Sequence, residues 1–242
     1  KNYDIILSNG EYQKKELEYA EKIFNYKKKK IFNTGYLYLQ ELQKNKKNLI
    51  NKNTILFAPS WNSSKNNLFD DYADKIIGKL LEKNQKIVLR THPETLIRSN
   101  KNLKIIKEKY FSNKNFRLNT DLRNLEFLNE SSILITDNGG MALEYLIIQR
   151  KPVLYIEYNE KIHNKFFEKL NLETFEDRVK SDIGTTISVK DLDKIDFFLK
   201  ETQNNFNKNF HKMDDLLIEF GVITDNQIRN QKETILKLLL SI

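Results

Sequence analysis

Short apolar runs of three or four residues recur along this chain and alternate with longer stretches whose apolar positions return every three or four residues. The first spacing is that of buried strands and the second that of helices with one buried stripe, so the pattern predicts a parallel α/β sheet with crossover helices. Asp4 to Leu7 predicts a strand. Glu11 to Tyr26 predicts a polar helix with Leu17, Ala20, Ile23 and Phe24 on one face. Ile31 to Tyr36 predicts a strand ending in a glycine turn, and Gln43 to Asn53 has the composition of a solvated connector.

A second series starts there. Ile55 to Ala58 is a predicted strand stopped by Pro59, and Asp70 to Glu82 is a predicted helix burying Ile76, Ile77, Leu80 and Leu81. Strand Ile87 to Leu89, helix Leu103 to Phe111, strand Phe116 to Leu118, helix Leu122 to Glu130 and strand Ile133 to Ile135 follow. Helix Met141 to Gln149 then leads to strand Pro152 to Ile156. The repeat of about 30 residues per βα unit is that of a Rossmann-like doubly wound sheet. From Asp191 to Ile242 the pattern predicts two or three helices and no strand.

Composition narrows the functions open to such a fold. With no cysteine among 242 residues, the chain has no disulfide, thiolate metal site or catalytic thiol. Histidine and carboxylate spacings give no metal-ligand pattern, no Gly-x-Ser-x-Gly elbow occurs, and no cofactor is implied. Apolar runs are far shorter than the roughly 20 residues of a membrane span, and no signal-like stretch follows Lys1, so a cytoplasmic fragment with more chain upstream is expected. The net charge of +8 points to an anionic partner, but residues 1 to 53 hold 12 lysines against 6 acids, 12 − 6 = +6, leaving +2 for the rest. Joint enrichment of Lys, Asn and Ile also follows from AT-rich coding, so the charge alone selects no ligand. Lys27 to Lys30 reads either as a solvated helix end or as a contact for anionic lipid.

Open parallel sheets bind ligands beyond the carboxyl ends of their strands, and three predicted strand ends carry unusual residues: Pro59-Ser60-Trp61-Asn62, Arg90-Thr91-His92-Pro93 and Thr136-Asp137-Asn138-Gly139-Gly140. The last joins strand to helix, where glycines admit an anion to the unpaired amides of the first turn. Glu144, one turn on, is in reach of ribose hydroxyls if a nucleotide diphosphate sits there. Arg90 offers a fork for phosphate oxygens, and His92 either a phosphate donor or a helix cap. Trp61 either stacks on a base or plugs the sheet top. His163 and His211 lie in Lys-rich helical surroundings and read as solvated.

Read in order, these strand ends resemble the CDP-glycerol glycerophosphotransferases that build teichoic-acid and capsular polymers. Ile55-Leu56-Phe57-Ala58-Pro59-Ser60-Trp61 is similar to their "ILYAPTW" segment, and Arg90-Thr91-His92-Pro93 to "R-x-HP". Thr34-Gly35-Tyr36 is similar to "TGYPR", with Leu37 and Tyr38 replacing Pro and Arg; Asp137 matches the Asp of "SDYSS", and Pro152 to Tyr155 matches "KPVIFY". The resemblance runs from Tyr3 to about Ile187. It implies a GT-B fold, with residues 1–53 as the end of the amino-terminal half plus linker and 54–242 as the donor-nucleotide domain, helical from about 191. It also implies His92 as catalytic, assisting departure of CMP. By the resemblance Arg90 contacts the donor's pyrophosphate and Asp137, Asn138, Gly139 and Gly140 cradle its phosphates; Ser60, Trp61, Thr91 and Glu144, on the same strand ends and helix start, are expected to bind the nucleotide with them. The implied partners are a CDP-alcohol donor and a polymer acceptor held mainly by the other half; the lysine excess of the first 53 residues adds the expectation of peripheral contact with an anionic membrane from the cytoplasmic side, and no nucleic acid is expected.

Two departures keep alternatives open. Gly139 and Gly140 replace the family's paired serines, and Thr136 to Gly140 resembles the "TDSGG" segment of UDP-N-acetylglucosamine 2-epimerases, in which Glu144 matches a nucleotide-binding glutamate. Those enzymes' "HRREN" segment is absent, which ranks the transferase first. The "WHG" histidine that serves the acceptor hydroxyl is also absent from this chain, so the fragment alone is expected to bind nucleotide without turnover. A second alternative is a non-catalytic basic module docking on membrane or nucleic acid through Lys27 to Lys30 and Lys44 to Lys47.

Overall fold

The computed structural model describes residues 3–44, 53–61, 67–98, 100–121, 126–158, 167–222 and 225–240. The chain begins with β1 (Ile5–Ser8), α1 (Glu11–Ile23), β2 (Lys30–Asn33) and α2 (Leu37–Lys44). It continues through β3 (Thr54–Phe57), α3 (Leu68–Glu82), β4 (Lys86–Arg90), α4 (Pro93–Ile97), α5 (Lys101–Tyr110) and β5 (Phe116–Asn119). Then come α6 (Glu126–Glu130), β6 (Ser131–Thr136), α7 (Gly140–Gln149), β7 (Val153–Glu157), α8 (Phe167–Leu170), α9 (Phe175–Ile183) and β8 (Thr185–Ser188). A 3₁₀ turn leads into α10 (Ile195–Asn209), followed by α11 (Met213–Phe220) and α12 (Asp225–Leu240). Two compact units result: Lys1–Asn45 with Ile162–Arg178 and His211–Ile242, and Lys46–Lys161 with Val179–Phe210.

The second unit is a six-stranded, wholly parallel sheet ordered β5-β4-β3-β6-β7-β8. Counted from β3 this is the doubly wound order 3-2-1-4-5-6, whose direction of growth reverses between β3 and β6. Alternation puts Ile55, Phe57, Ile87, Leu89, Ile133 and Ile135 into one apolar cluster with Ile76, Ile77 and Leu80 of α3 and Ile106 of α5. The intervening Leu56, Val88 and Leu134 are as completely buried on the opposite face. Strands covered on both faces need continuous apolar runs, which is why β3, β4 and β6 stand out in the sequence. Helix α7 is buried at Ala142, Leu143, Tyr145, Leu146, Ile147 and Ile148, so its amino end is held rigidly at the sheet top.

Caps and turns move several boundaries from their expected places. Asn67 Oδ1 accepts from the Asp70 amide, starting α3 at Leu68 rather than Asp70. Asn100 caps the Asn102 and Leu103 amides, starting α5 at Lys101 rather than Leu103. Helix α1 stops at Ile23 rather than Tyr26, with Asn25 left-handed at φ 50°. β2 ends at Asn33, short of Tyr36. Helix α2 covers Gln43 and Lys44, where a connector was expected, and β8 was not expected at all. The expected helix from Leu122 is described from Glu126, since 122–125 lie outside the described residues. The tail after Asp191 carries helices and no strand among its described residues, as the pattern predicts.

In the first unit β1 and β2 pair in parallel. Its apolar centre is aromatic: Tyr12 stacks on Phe220 at 5.4 Å and 4°, and Phe175 lies 4.8 Å from Tyr12 and 5.1 Å from Phe220. Gly221 closes α11 at φ 100°, where an added Cβ would stand 1.7 Å from the Asn9 carbonyl oxygen, so only glycine fits. No described helix is long and apolar enough to cross a membrane.

Candidate functional site

The loops after β3 and β6 are laced together where the sheet order reverses. The Ala58 amide donates to the Ile135 carbonyl at 3.0 Å, and Thr136 Oγ1 donates back to the Ala58 carbonyl at 2.7 Å. Further out, the Ser60 amide donates to Asp137 Oδ1 at 2.7 Å. The Asp137 carboxylate is buried and turned toward the Ser60 loop. It therefore fixes the path of the glycine turn, whereas a carboxylate pointed at a phosphate would repel it.

The two glycines differ. An added Cβ on Gly139 would come 3.0 Å from Ser60 Cβ, so this glycine allows the two loops to touch. Gly140 has nothing within 4 Å of that position. It is the first residue of α7; the Ala142 amide donates to the Gly139 carbonyl at 3.1 Å, which leaves the amides of Gly140 and Met141 without an intrahelical acceptor, and Gly139 supplies no side-chain cap. An open approach to uncapped amides on a buried helix is what an anion requires.

Beyond β4 stand Arg90, Thr91 and His92. The Arg90 guanidinium lies 4.4 Å from the Phe127 ring centroid and interacts electrostatically with Glu144 of α7. Burial pushes the Glu144 carboxyl above its ordinary range, and the Arg90 charge pulls it back in part. Thr91 is buried, with its Oγ1 lacking a hydrogen-bond partner among the described residues, as does Ser60 Oγ.

His92 caps α4: its Nδ1 accepts from the Glu94 amide at 3.2 Å. The capping role weighed for this histidine is real, and it fixes the chemistry of the other ring nitrogen. Because Nδ1 accepts, the proton of the neutral ring sits on Nε2, leaving a donor there. Trp61 stacks beside the His92 ring at 6.2 Å and 23°, and Arg98, itself bonded to Glu94 at 3.1 Å, lies 5.0 Å from the Trp61 ring centroid. Trp61 thus braces His92 within the sheet top.

The expected residues Ser60, Trp61, Arg90, Thr91, His92, Asp137, Asn138, Gly139, Gly140 and Glu144 all fall in the parallel-sheet unit, on strand ends or the first turns of α7. Phe127, Arg98 and Asn119 were missed; Asn119 is the last residue of β5 as Arg90 is of β4, but β5 carries the exposed Arg117 and lacks the continuous apolar run that singles out β4. His211 is exposed in a 3₁₀ turn, and His163, Asn62 and residues 45–50 lie outside the described residues. Within the Lys27 to Lys30 run, Lys27 pairs with Asp4 at 2.8 Å and Lys29 with Glu21 at 3.4 Å, so two of its charges are already compensated.

A 3-2-1-4-5-6 parallel sheet with an uncapped glycine turn at its switch point defines a Rossmann-like domain, and the similar solved structures are GT-B-like. The fold is shared with a Methanocaldococcus jannaschii UDP-GlcNAc 2-epimerase solved with UDP-GlcNAc and UDP: TM-score 0.54, 16% identity, 99% of this chain and 61% of that one. It is shared as well with the solved accessory secretory protein 1, 2 and 3 of Streptococcus pneumoniae (0.50, 11%, 98% and 44%). The chain belongs to the CDP-glycerol:poly(glycerophosphate) glycerophosphotransferase family, whose model matches residues 1–216. The wall teichoic acid polymerase TagF also aligns, with TM-score 0.49 and 18% identity over 96% of this chain and 59% of that one. The chain thus spans about 60% of the length of the epimerase and of TagF. None of the curated proteins matches the sequence.

Proposed function

We propose that the chain is the donor-binding part of a glycerophosphotransferase that uses CDP-glycerol or a similar CDP-alcohol to build a teichoic-acid or capsular polymer. One observation carries this reading: the open, uncapped amides at Gly140 stand on the same sheet top as Arg90 and His92, in a member of this family. The donor's diphosphate lies on the α7 amides, with Asn138, Gly139, Ser60, Thr91 and Trp61 forming its surroundings and Asp137 holding the turn. Glu144 takes the ribose hydroxyls, and Arg90 supplies the compensating charge.

The acceptor hydroxyl oxygen forms a bond to the β-phosphorus as the bond from that phosphorus to the bridging oxygen breaks. The bridging oxygen leaves with the electron pair as part of CMP. The hydroxyl proton passes to a base on the amino-terminal half, which the resemblance assigns to the "WHG" histidine. His92, with its proton on Nε2, donates a hydrogen bond to the departing phosphate. Catalysis then comes from positioning and charge neutralisation. Residues 1–53 belong to the end of the amino-terminal half and its linker, and within 54–242 the parallel-sheet unit carries the donor. The working location is the cytoplasm, at the inner face of the membrane.

Calorimetry of the 242-residue chain with CDP, CMP, UDP and UMP tests the reading. Cytidine nucleotides bind more tightly than their uridine counterparts; tighter UDP binding moves the assignment to a UDP-sugar enzyme.

A further inference from the structure

A buried polar atom that finds no partner in the protein can receive one from a ligand, an ion or water, and at a strand end beside a binding site a ligand is the natural source. Ser60 Oγ, Thr91 Oγ1 and Asn119 Oδ1 are three such atoms among the described residues, and they stand at the carboxyl ends of β3, β4 and β5, three strands adjacent in the sheet. The first two lie in the site already described. Asn119 does not, and its position is fixed by register: it pairs directly with Arg90 at the last rung between β4 and β5.

Directly paired residues of neighbouring parallel strands project to the same face. Leu89 and Leu118, one residue earlier on each strand, pack toward the apolar cluster on the α3 side, so Arg90 and Asn119 project to the opposite face. On that face Arg90 meets Phe127 of α6 and Glu144 of α7. From the Gly140 turn the chemistry therefore runs in order: uncapped amides, a carboxylate one turn on, a guanidinium, then a buried carboxamide oxygen. From β6 to β5 is three strand spacings, about 14 Å at roughly 4.8 Å each, the reach of a nucleoside diphosphate laid across the strand ends. With phosphates on the amides and ribose at Glu144, the base arrives at Asn119.

We propose, resting on the donor assignment above, that Asn119 is a specificity-determining residue that reads the nucleobase, its buried Oδ1 accepting a hydrogen bond from the exocyclic N4 amine of cytosine. Cytosine fills the vacant acceptor, whereas uracil puts an oxygen at the same position and leaves Oδ1 facing oxygen. A site built to bond a donor rejects the analogue lacking it, because the buried acceptor is then left unpaired.

The test is a calorimetric cycle on the full 242-residue chain with CMP and the pyrimidin-2-one ribonucleoside monophosphate, which lacks only the N4 amine, each titrated into wild type and Asn119→Ala. Wild type is expected to prefer CMP about tenfold, the equivalent of about 1.4 kcal/mol, and Asn119→Ala to bind both ligands equally, with the affinity lost on CMP alone. Pyrophosphate, which carries no base, is expected to bind the two proteins alike, showing that the variant is folded and its phosphate site intact. Equal binding of the two nucleotides by wild type, or a CMP preference that persists in Asn119→Ala, overturns the role of Asn119 while leaving donor binding in place. Failure of wild type to bind either nucleotide or pyrophosphate overturns the donor assignment itself, and this inference with it.

Discussion

The backbone amide of Ser60 donates a 2.7 Å hydrogen bond to Asp137 Oδ1, joining two loops that lie 77 residues apart in the chain. The bond sits where the sheet order reverses and carries no chemistry of its own. It decides instead where the Gly139-Gly140 turn is held. Removing the carboxylate leaves a part-buried amide without its charged acceptor, at a cost of about 1–3 kcal/mol. Asp137→Ala is therefore expected to lose that much stability in urea titrations and to weaken nucleotide binding. Unchanged stability removes Asp137 from its role as a brace.

The neighbouring glycines separate steric from ligand-dependent effects. Gly140→Ala adds a methyl group into open space at a helix start, so it should leave stability unchanged or raise it by about 0.5 kcal/mol. Its nucleotide affinity should nevertheless fall, because the methyl occupies the approach to the amides. Gly139→Ala forces Ser60 aside and should destabilise the free protein. Thermal melts with and without CDP distinguish the two; a Gly140→Ala protein that binds as tightly as wild type contradicts the site.

His92 gives a prediction about tautomers. Its Nδ1 accepts from the Glu94 amide, so nitrogen NMR of the ring is expected to show Nε2 protonated in the neutral form. His92→Asn keeps a side-chain acceptor suited to a helix start and should cost little stability, while His92→Ala loses about 1 kcal/mol. Both variants lose the Nε2 donor, so both are expected to slow transfer in the complete enzyme. An Nδ1-protonated ring contradicts the cap.

Glu144 predicts a pH dependence. Burial raises its carboxyl above the ordinary value despite the nearby Arg90 charge. The native state therefore holds a proton more tightly than the unfolded chain. The stability this contributes is complete below the unfolded pKa and is lost as pH rises through the folded one. Glu144→Gln should thus gain stability relative to wild type as pH rises from the acid side toward neutrality, by denaturant titration at several pH values. A difference independent of pH means that attraction to Arg90 balances burial, and one of opposite slope that it outweighs burial.

Much of this was legible in the sequence because strands buried on both faces must be apolar throughout. Ile55 to Phe57, Ile87 to Leu89 and Ile133 to Ile135 could be no other element, and the residues following them fell at one end of one sheet. β8 escaped because Thr185–Ser188 is an edge strand with only Ile187 buried, too short and polar to show a period. Asparagine caps at Asn67 and Asn100 set helix starts that hydrophobic spacing alone put two residues late. In the site, the identity of the strand-end residues was visible, but their partners were not: that Asp137 faces Ser60, that His92 caps α4 and that Arg90 rests on Phe127 depend on contacts across the sheet. Asn119 was hidden by its own ordinariness, since it is one of 29 asparagines and only register puts it beside Arg90.

The amides at the start of α7 are proposed to hold the diphosphate of a cytidine nucleotide, and titration of CDP into wild type and Gly140→Asp probes that contact alone. A carboxylate at residue 140 stands where the phosphate is held, so wild type should bind CDP and the variant should show no measurable heat while melting as a folded protein. A folded Gly140→Asp chain that binds CDP with unchanged affinity means that the diphosphate is held elsewhere.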